Sequence, residues 1–85
     1  MNNIFQIMGS EDIIILFKQD QISDLCNLLK NNNINCKEED FESYFWVKIN
    51  DHSVREFANF GPFNQNCPII KYSELIDKLN NNQNI

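Results

Sequence analysis

Whatever reactive chemistry this chain has rests on three cysteines, one histidine and a few clustered acids. Cys26, Cys36 and Cys67 are the thiols, and His52 is the single imidazole. No two cysteines have the short spacing of a zinc knuckle or of a Cys-x-x-Cys redox pair. One histidine does not complete a four-ligand metal site. Free, reduced thiols are therefore expected, with Cys26 as an inert residue on a helix's apolar stripe and Cys36 as a loop thiol. Asp51-His52-Ser53 contains the three residue types of a hydrolytic triad. Sequence neighbours cannot face one another as triad members must, so the run reads as a helix cap. Glu38-Glu39-Asp40 and Glu42 could hold a hard cation, yet neither EF-hand spacing nor a turn glycine accompanies them, and a solvated loop is expected. The residues thus point to no metal and no conventional catalytic set.

Composition narrows the choice further. Residues 1–85 are expected to form one domain with a limited core. An apolar content of 42%, including seven Phe, two Tyr and one Trp, is enough to fold without a metal or disulfide staple. A formal charge of −5 and a pI near 4.6 argue against nucleic acid and anionic membrane surfaces as partners, because phosphate binding needs a basic stripe. No apolar run approaches the roughly 20 residues that span a bilayer. Met1–Ser10 lacks the basic start and long apolar stretch of a signal peptide, so the expected location is the cytoplasm. About one residue in six is Asn, with triplets at Asn31–Asn33 and Asn80–Asn82. Such a bias accompanies AT-rich coding sequences, as in phages, viruses and intracellular bacteria, and a phage or viral protein is the expected source.

Hydrophobic spacing places the elements. Ile13–Phe17 is a continuous apolar run that suits a strand buried on both faces. Ile22, Leu25, Cys26 and Leu29 follow at i, i+3, i+4, i+7, which predicts an amphipathic helix stopped by Asn31–Asn33. The acidic segment Lys37–Glu42 reads as a solvated connection or a frayed start of the next strand. Tyr44–Ile49 alternates and predicts a second strand. Ser53-Val54-Arg55-Glu56 matches the capping box S-x-x-E, and with Val54, Phe57 and Ala58 as its stripe it predicts a helix ending at Gly61-Pro62. A short strand at Ile69-Ile70 and a last helix capped by Ser73, with Leu75, Ile76 and Leu79 facing inward, complete a β-α-β-α-β-α order. Residues 80–85 are expected to form a frayed, disordered tail. Alternation of this kind favours an α/β domain of three layers.

Several pieces, in their shared order, resemble a glutaredoxin of the monothiol type. Val54-Arg55-Glu56 through Cys67-Pro68-Ile69-Ile70 is similar to the family's segment from a Val/Ile-Arg helix start to a W-P-T-x-P-Q strand. Ser73-Glu74-Leu75-Ile76 resembles G-E-L-I, and Ile13–Lys18 resembles a first strand ending in Lys. Leu28-Leu29-Lys30-Asn31-Asn32-Asn33-Ile34 looks like L-L-K-x-x-G-I. The resemblance covers most of residues 11–79, with extra residues around Asn35–Ser43, and implies a thioredoxin-like three-layer domain, a central mixed sheet flanked by helices. It also implies a cis peptide bond at Pro68, which would present the backbone of Cys67 to a thiol-peptide. Lys18 and Arg55 would hold glutathione carboxylates.

The departures from that family matter as much. Gln19 stands where the nucleophilic Cys belongs and Ile22 where the second Cys of a dithiol enzyme would stand. Gln19 has no nucleophilic atom. The Gly-Gly-x-Asp grip on glutathione is absent, leaving Asp77 or Glu74 as surrogates. With Pro68 cis, Cys67 would lie beside the vacated nucleophile position. The resulting expectation is a redox-inactive glutaredoxin-like binding or regulatory module without a cofactor. Its site would comprise Lys18, Gln19, Arg55, Cys67, Pro68 and Asp77, and its partner would be a protein or glutathione. The surplus of aromatics would supply an interaction patch. Two alternatives stand beside it: an atypical thiol-disulfide oxidoreductase using Cys67, and a small acidic inhibitor or immunity-type protein that covers a basic site.

Overall fold

The computed structural model describes residues 4–50, 53–61 and 66–83. In chain order it has α1 (Ile4–Met8), β1 (Asp12–Leu16), a 3-10 turn (Gln19–Gln21) leading into α2 (Ile22–Asn31), the one-turn helix α3 (Glu38–Phe41), β2 (Trp46–Asn50), β3 (Val54–Ala58), β4 (Ile69–Lys71) and α4 (Tyr72–Gln83). The strands form one mixed sheet in the order β3-β2-β1-β4. β1 runs antiparallel to β2 and parallel to β4, and β2 and β3 form an antiparallel pair. The chain is therefore an α/β domain with a mixed four-stranded sheet.

β1 is central because Ile13, Ile14 and Ile15 are all fully buried, which only a strand covered on both faces allows. The two faces differ. Ile13 and Ile15, with Val47, Ile49 and Ile70, meet the buried side chains of all four helices in one continuous core. Ile14 lies on the other face with Trp46 and Ala58, against which Leu16 and Cys67 pack. The expected three layers are thus corrected to two among the described residues. Trp46 Nε1 donates to the Phe60 carbonyl, tying the connection after β3 to that second face.

The helix expected over residues 53–60 is the strand β3. Lys48 pairs with Glu56 and Ile49 with Val54, so Arg55 is an extra residue, a β-bulge, on the edge strand. The bulge puts Val54 and Phe57, three apart, against the same core. Their spacing mimics a helical stripe while the backbone is extended. Ser53, read as a cap, instead closes the β2–β3 hairpin. Its N–H donates to Asn50 Oδ1 at 2.7 Å, and Asn50 N–H donates to the Ser53 carbonyl at 3.0 Å. The expected cap partners Asp51 and His52 and the stop at Pro62 lie outside the described residues. An isolated bridge between Asn35 and Ser53 shields the start of this edge strand.

Other expectations shift by smaller amounts. β1 and β2 each occur, displaced by a residue or two from the alternation. α2 ends in the Asn triplet as expected, by a specific device. Asn33 takes the left-handed conformation at φ 66°, Ile34 N–H donates to the Leu29 carbonyl and Asn33 N–H to that of Lys30. This is a Schellman stop, with Ile34 fully buried behind it. The acidic segment is a helical turn because Phe41 drops into the core while Glu38, Glu39 and Asp40 stay exposed. Phe41 meets Phe17 and Phe57 edge-on at centroid distances of 5.6 and 4.9 Å, and Tyr44 stacks on Phe57 at 5.2 Å. α4 starts at Tyr72, so Ser73 sits inside its first turn and does not cap it. The helix also continues through Asn80–Asn82, where a frayed tail was expected, because each Asn costs under about 0.7 kcal/mol relative to Ala. α1, with no counterpart among the expected elements, buries Ile4 and Phe5.

Two substitutions test this packing, with the single buried Trp46 as fluorescent reporter. Phe41→Ala should lower the unfolding free energy by about 3–5 kcal/mol, read as a fall in urea midpoint at unchanged slope. Asn33→Gly should raise stability by up to about 1 kcal/mol and Asn33→Ala should lower it by about 1, since only glycine accepts the left-handed backbone freely.

Candidate functional site

The carboxyl ends of the parallel neighbours β1 and β4 point the same way, and each strand runs into a helix. Leu16 pairs with Lys71, which brings Phe17-Lys18 beside Tyr72-Ser73. Between them opens a crevice of roughly 350 Å³ lined by Leu16, Phe17, Lys18, Gln21, Lys71, Tyr72 and Ser73. Ligands of open α/β sheets gather at such carboxyl edges, because helix N-termini converge there with unpaired N–H groups. Two of the chain's seven cations, Lys18 and Lys71, flank the opening of a protein whose net charge is −5. Both lysines are exposed. The floor is apolar, from Leu16 and the buried Phe17.

The local sequence builds this geometry. Gln21 Oε1 accepts from Lys18 N–H at 2.9 Å, and Gln21 N–H donates to the Lys18 carbonyl at 2.9 Å, so the β1–α2 turn is closed on itself. Gln19 Nε2 donates to the Tyr44 carbonyl at 2.9 Å and ties the same turn to the approach to β2. The residue at the position expected for a nucleophile thus has a positioning role here. Tyr72 lines the crevice beside Lys71 and Ser73. Burial, helped by the Asp24 carboxylate, raises its phenol pKa and keeps the hydroxyl protonated as a donor. Asp20, Glu38 and Glu42 line a different depression, with Gln19, Ile22, Ser23 and Ser43.

Of the residues expected to share a site, the structure brings only some together. Lys18 lines the crevice, while Gln19 lines the separate depression with Asp20, Ile22, Ser23, Glu38, Glu42 and Ser43. Arg55 lies at the opposite end of the sheet, in a polar depression with Glu11, Asp12, Lys48, Asn50 and Glu56. Cys67 and Pro68 precede β4 and are also at that far end, where the Pro68 carbonyl accepts from Ile14 N–H at 2.9 Å. No cis peptide bond occurs among the described residues, so the expected cis bond at Pro68 is corrected to trans. An edge-strand start needs no N–H from proline, which accounts for its placement. Cys67 packs beside Ile14, Trp46 and Ala58 and does not face Gln19. Asp77 is exposed on α4 and does not line the crevice.

Lys71, Tyr72 and Ser73 were not foreseen as site residues. A signal for them exists: Ile-Leu-Phe-Lys and Ile-Ile-Lys are each followed within a few residues by a helix, so the chain twice writes an apolar strand ending in Lys. Among the described residues, no group of three or more His, Cys, Asp or Glu is arranged to hold a metal ion, and no helix is long and apolar enough to cross a membrane.

The three thiols are free, Cys26 is buried on the stripe of α2 and Cys36 lies in a loop, all as expected, but the loop thiol is not exposed. Cys36 is buried, and its Sγ lies 3.2 Å from that of Cys26. Burial, reinforced by the Cys26 thiol, pushes Cys36 up to about 12, against a smaller downward pull from Lys30. An acid whose pKa rises on folding adds stability that is complete below its unfolded value near 9 and is lost as pH climbs towards 12. Stability measured by urea titration should therefore fall across that window, and Cys36→Ala should flatten the fall. No protein-family model matches this chain, and neither does any curated protein or solved structure.

Proposed function

We infer that this protein is a non-enzymatic binding module that takes a small carboxylate- or phosphate-bearing ligand in the crevice at the carboxyl ends of β1 and β4. The observation that carries this reading is the convergence of Lys18 and Lys71, from adjacent parallel strands, on one opening in an acidic protein. Two ammonium groups supply charge-assisted hydrogen bonds to an anion. The Ser73 hydroxyl and the first turn of α4 add neutral donors, while Leu16 and Phe17 accept an apolar portion. The residues lining the crevice include neither Cys nor His.

A glutaredoxin-like version of this module, with a thioredoxin-like sheet and glutathione as ligand, is the more specific form of the same reading. Lys18 at the end of the first strand supports it, as does a central β1 with one parallel and one antiparallel neighbour. Arg55, on a strand at the far end, cannot take the part that version assigns to it. A protein partner is favoured separately by Phe45 and Phe60, which are 55% and 74% exposed.

Titration calorimetry with phosphate, acetate and reduced glutathione separates these forms. At least one anion should bind saturably with a Kd in the range of roughly 1–10 mM at low salt, weakening as ionic strength rises. Lys18→Ala and Lys71→Ala should each weaken it by about fivefold, while Lys78→Ala leaves it unchanged. Glutathione binding far tighter than acetate, with the same lysine dependence, would favour the thiol-peptide form. Heats that never saturate, or that ignore both lysines, would overturn the module.

A further inference from the structure

α2 carries Cys26 on its buried stripe, between Leu25 and Leu29. The Schellman stop at Asn32–Ile34 turns the chain back along the helix, and Ile34 anchors that reversal in the core. Two residues later Cys36 returns to α2. Its Sγ lies 3.2 Å from Cys26 Sγ and 3.6 Å from the Cys26 carbonyl oxygen. Both thiols are free and buried, Cys26 at 0% and Cys36 at 7% exposure. The third thiol, Cys67, packs on the opposite face of the sheet and is out of reach of the pair. A disulfide needs the sulfurs at about 2.05 Å, so an approach of about 1 Å separates two thiols from a bond.

We propose that Cys26 and Cys36 are a disulfide-forming pair that closes when the protein meets a two-electron oxidant such as hydrogen peroxide. One thiol loses its proton and its sulfur attacks a peroxide oxygen. The O–O bond breaks, leaving a sulfenic acid and one water. The second sulfur displaces the sulfenic oxygen, which leaves as a second water, and the S–S bond forms. Two thiols and one peroxide thus become one disulfide and two waters. Two electrons pass from sulfur to oxygen.

The surroundings set the pace of this reaction. Cys36 is the sulfur nearer to solvent and so the entry point for the oxidant. The groups acting on it are the Cys26 thiol and Lys30 of α2 and Asp40 of α3, and the dominant effect, burial, holds it protonated at neutral pH. The thiolate is the reactive form, so closure is slow near pH 7 and faster as pH rises. The bond would pin α2 to the segment entering α3 and restrict the unfolded chain. It would raise Tm by on the order of 10 °C for a loop of this length.

The test uses the full chain in native buffer at pH 8.5, with a few equivalents of peroxide. Alkylation in denaturant, intact mass and peptide mapping follow. The expected product is a monomer about 2 Da lighter that takes up one alkylating group, at Cys67, and yields a peptide linked through Cys26 and Cys36. The rate should increase by about tenfold per pH unit over the neutral range, and dithiothreitol should reverse both the mass change and the gain in Tm. Three alkylated cysteines after exposure, a bond through Cys67, or a crosslinked dimer would each overturn the proposal. Mapping on the unaltered chain needs no variant. Cys36→Ala and Cys26→Ala each provide a control, and whichever folds should show no mass loss.

Discussion

Ile13, Ile14 and Ile15 are buried together, and that burial constrains everything around them. Burying each isoleucine is worth about 1.5–3 kcal/mol, but only if apolar groups cover both faces of one strand. β1 must therefore lie inside the sheet with a neighbour on each edge. The hairpin β2–β3 supplies one and β4 the other. The helices cover the face of Ile13 and Ile15, while Ile14 packs on the other face with Trp46 and Ala58, against which Leu16 and Cys67 lie. The parallel alignment of β4 with β1 then has a direct chemical consequence. It places the ends of two strands, two lysines and the start of two helices at one edge.

How much of this was legible in the sequence depended on how local each signal was. The continuous run of β1, the stripe of α2 and the inward set Leu75, Ile76 and Leu79 of α4 were readable, because their spacing and their burial agree. The acidic α3 was misread since one side chain, Phe41, decides it and its neighbours all face water. β3 was misread for a physical reason. The bulge at Arg55 gives Val54 and Phe57 a helical interval on an extended backbone, and Ser53 with Glu56 completes the imitation of a cap. Lys18 was named as a site residue through the glutaredoxin resemblance, which has a Lys at the end of its first strand. Lys71 ends an apolar strand in the same way, but its position beside Leu16 follows from a strand pairing across more than fifty residues, which no local signal gives.

The same dependence on distant pairing redraws the expected site. Lys18, Arg55 and Cys67 formed one constellation in the glutaredoxin-like reading, and the sheet register separates them to opposite ends. Lys18 instead acquires Lys71 and Ser73 as neighbours, and Gln19 becomes a brace between the β1–α2 turn and the approach to β2. The proposed sulfur chemistry moves as well, from Cys67 to a pair that the α2 stop folds together. The proposed anion site and the proposed thiol pair, combined in that reading, fall in two separate regions of this structure.

The central claim is that the anion site lies at the carboxyl edge of β1 and β4, and a ¹⁵N-resolved NMR titration with phosphate reads it residue by residue. The account predicts saturable shifts concentrated at the amides of Lys18–Gln21 and Lys71–Ser73, with Arg55, Glu56 and Cys67 silent. Shifts centred on the Arg55 end of the sheet, or small shifts spread evenly over the surface, would contradict it.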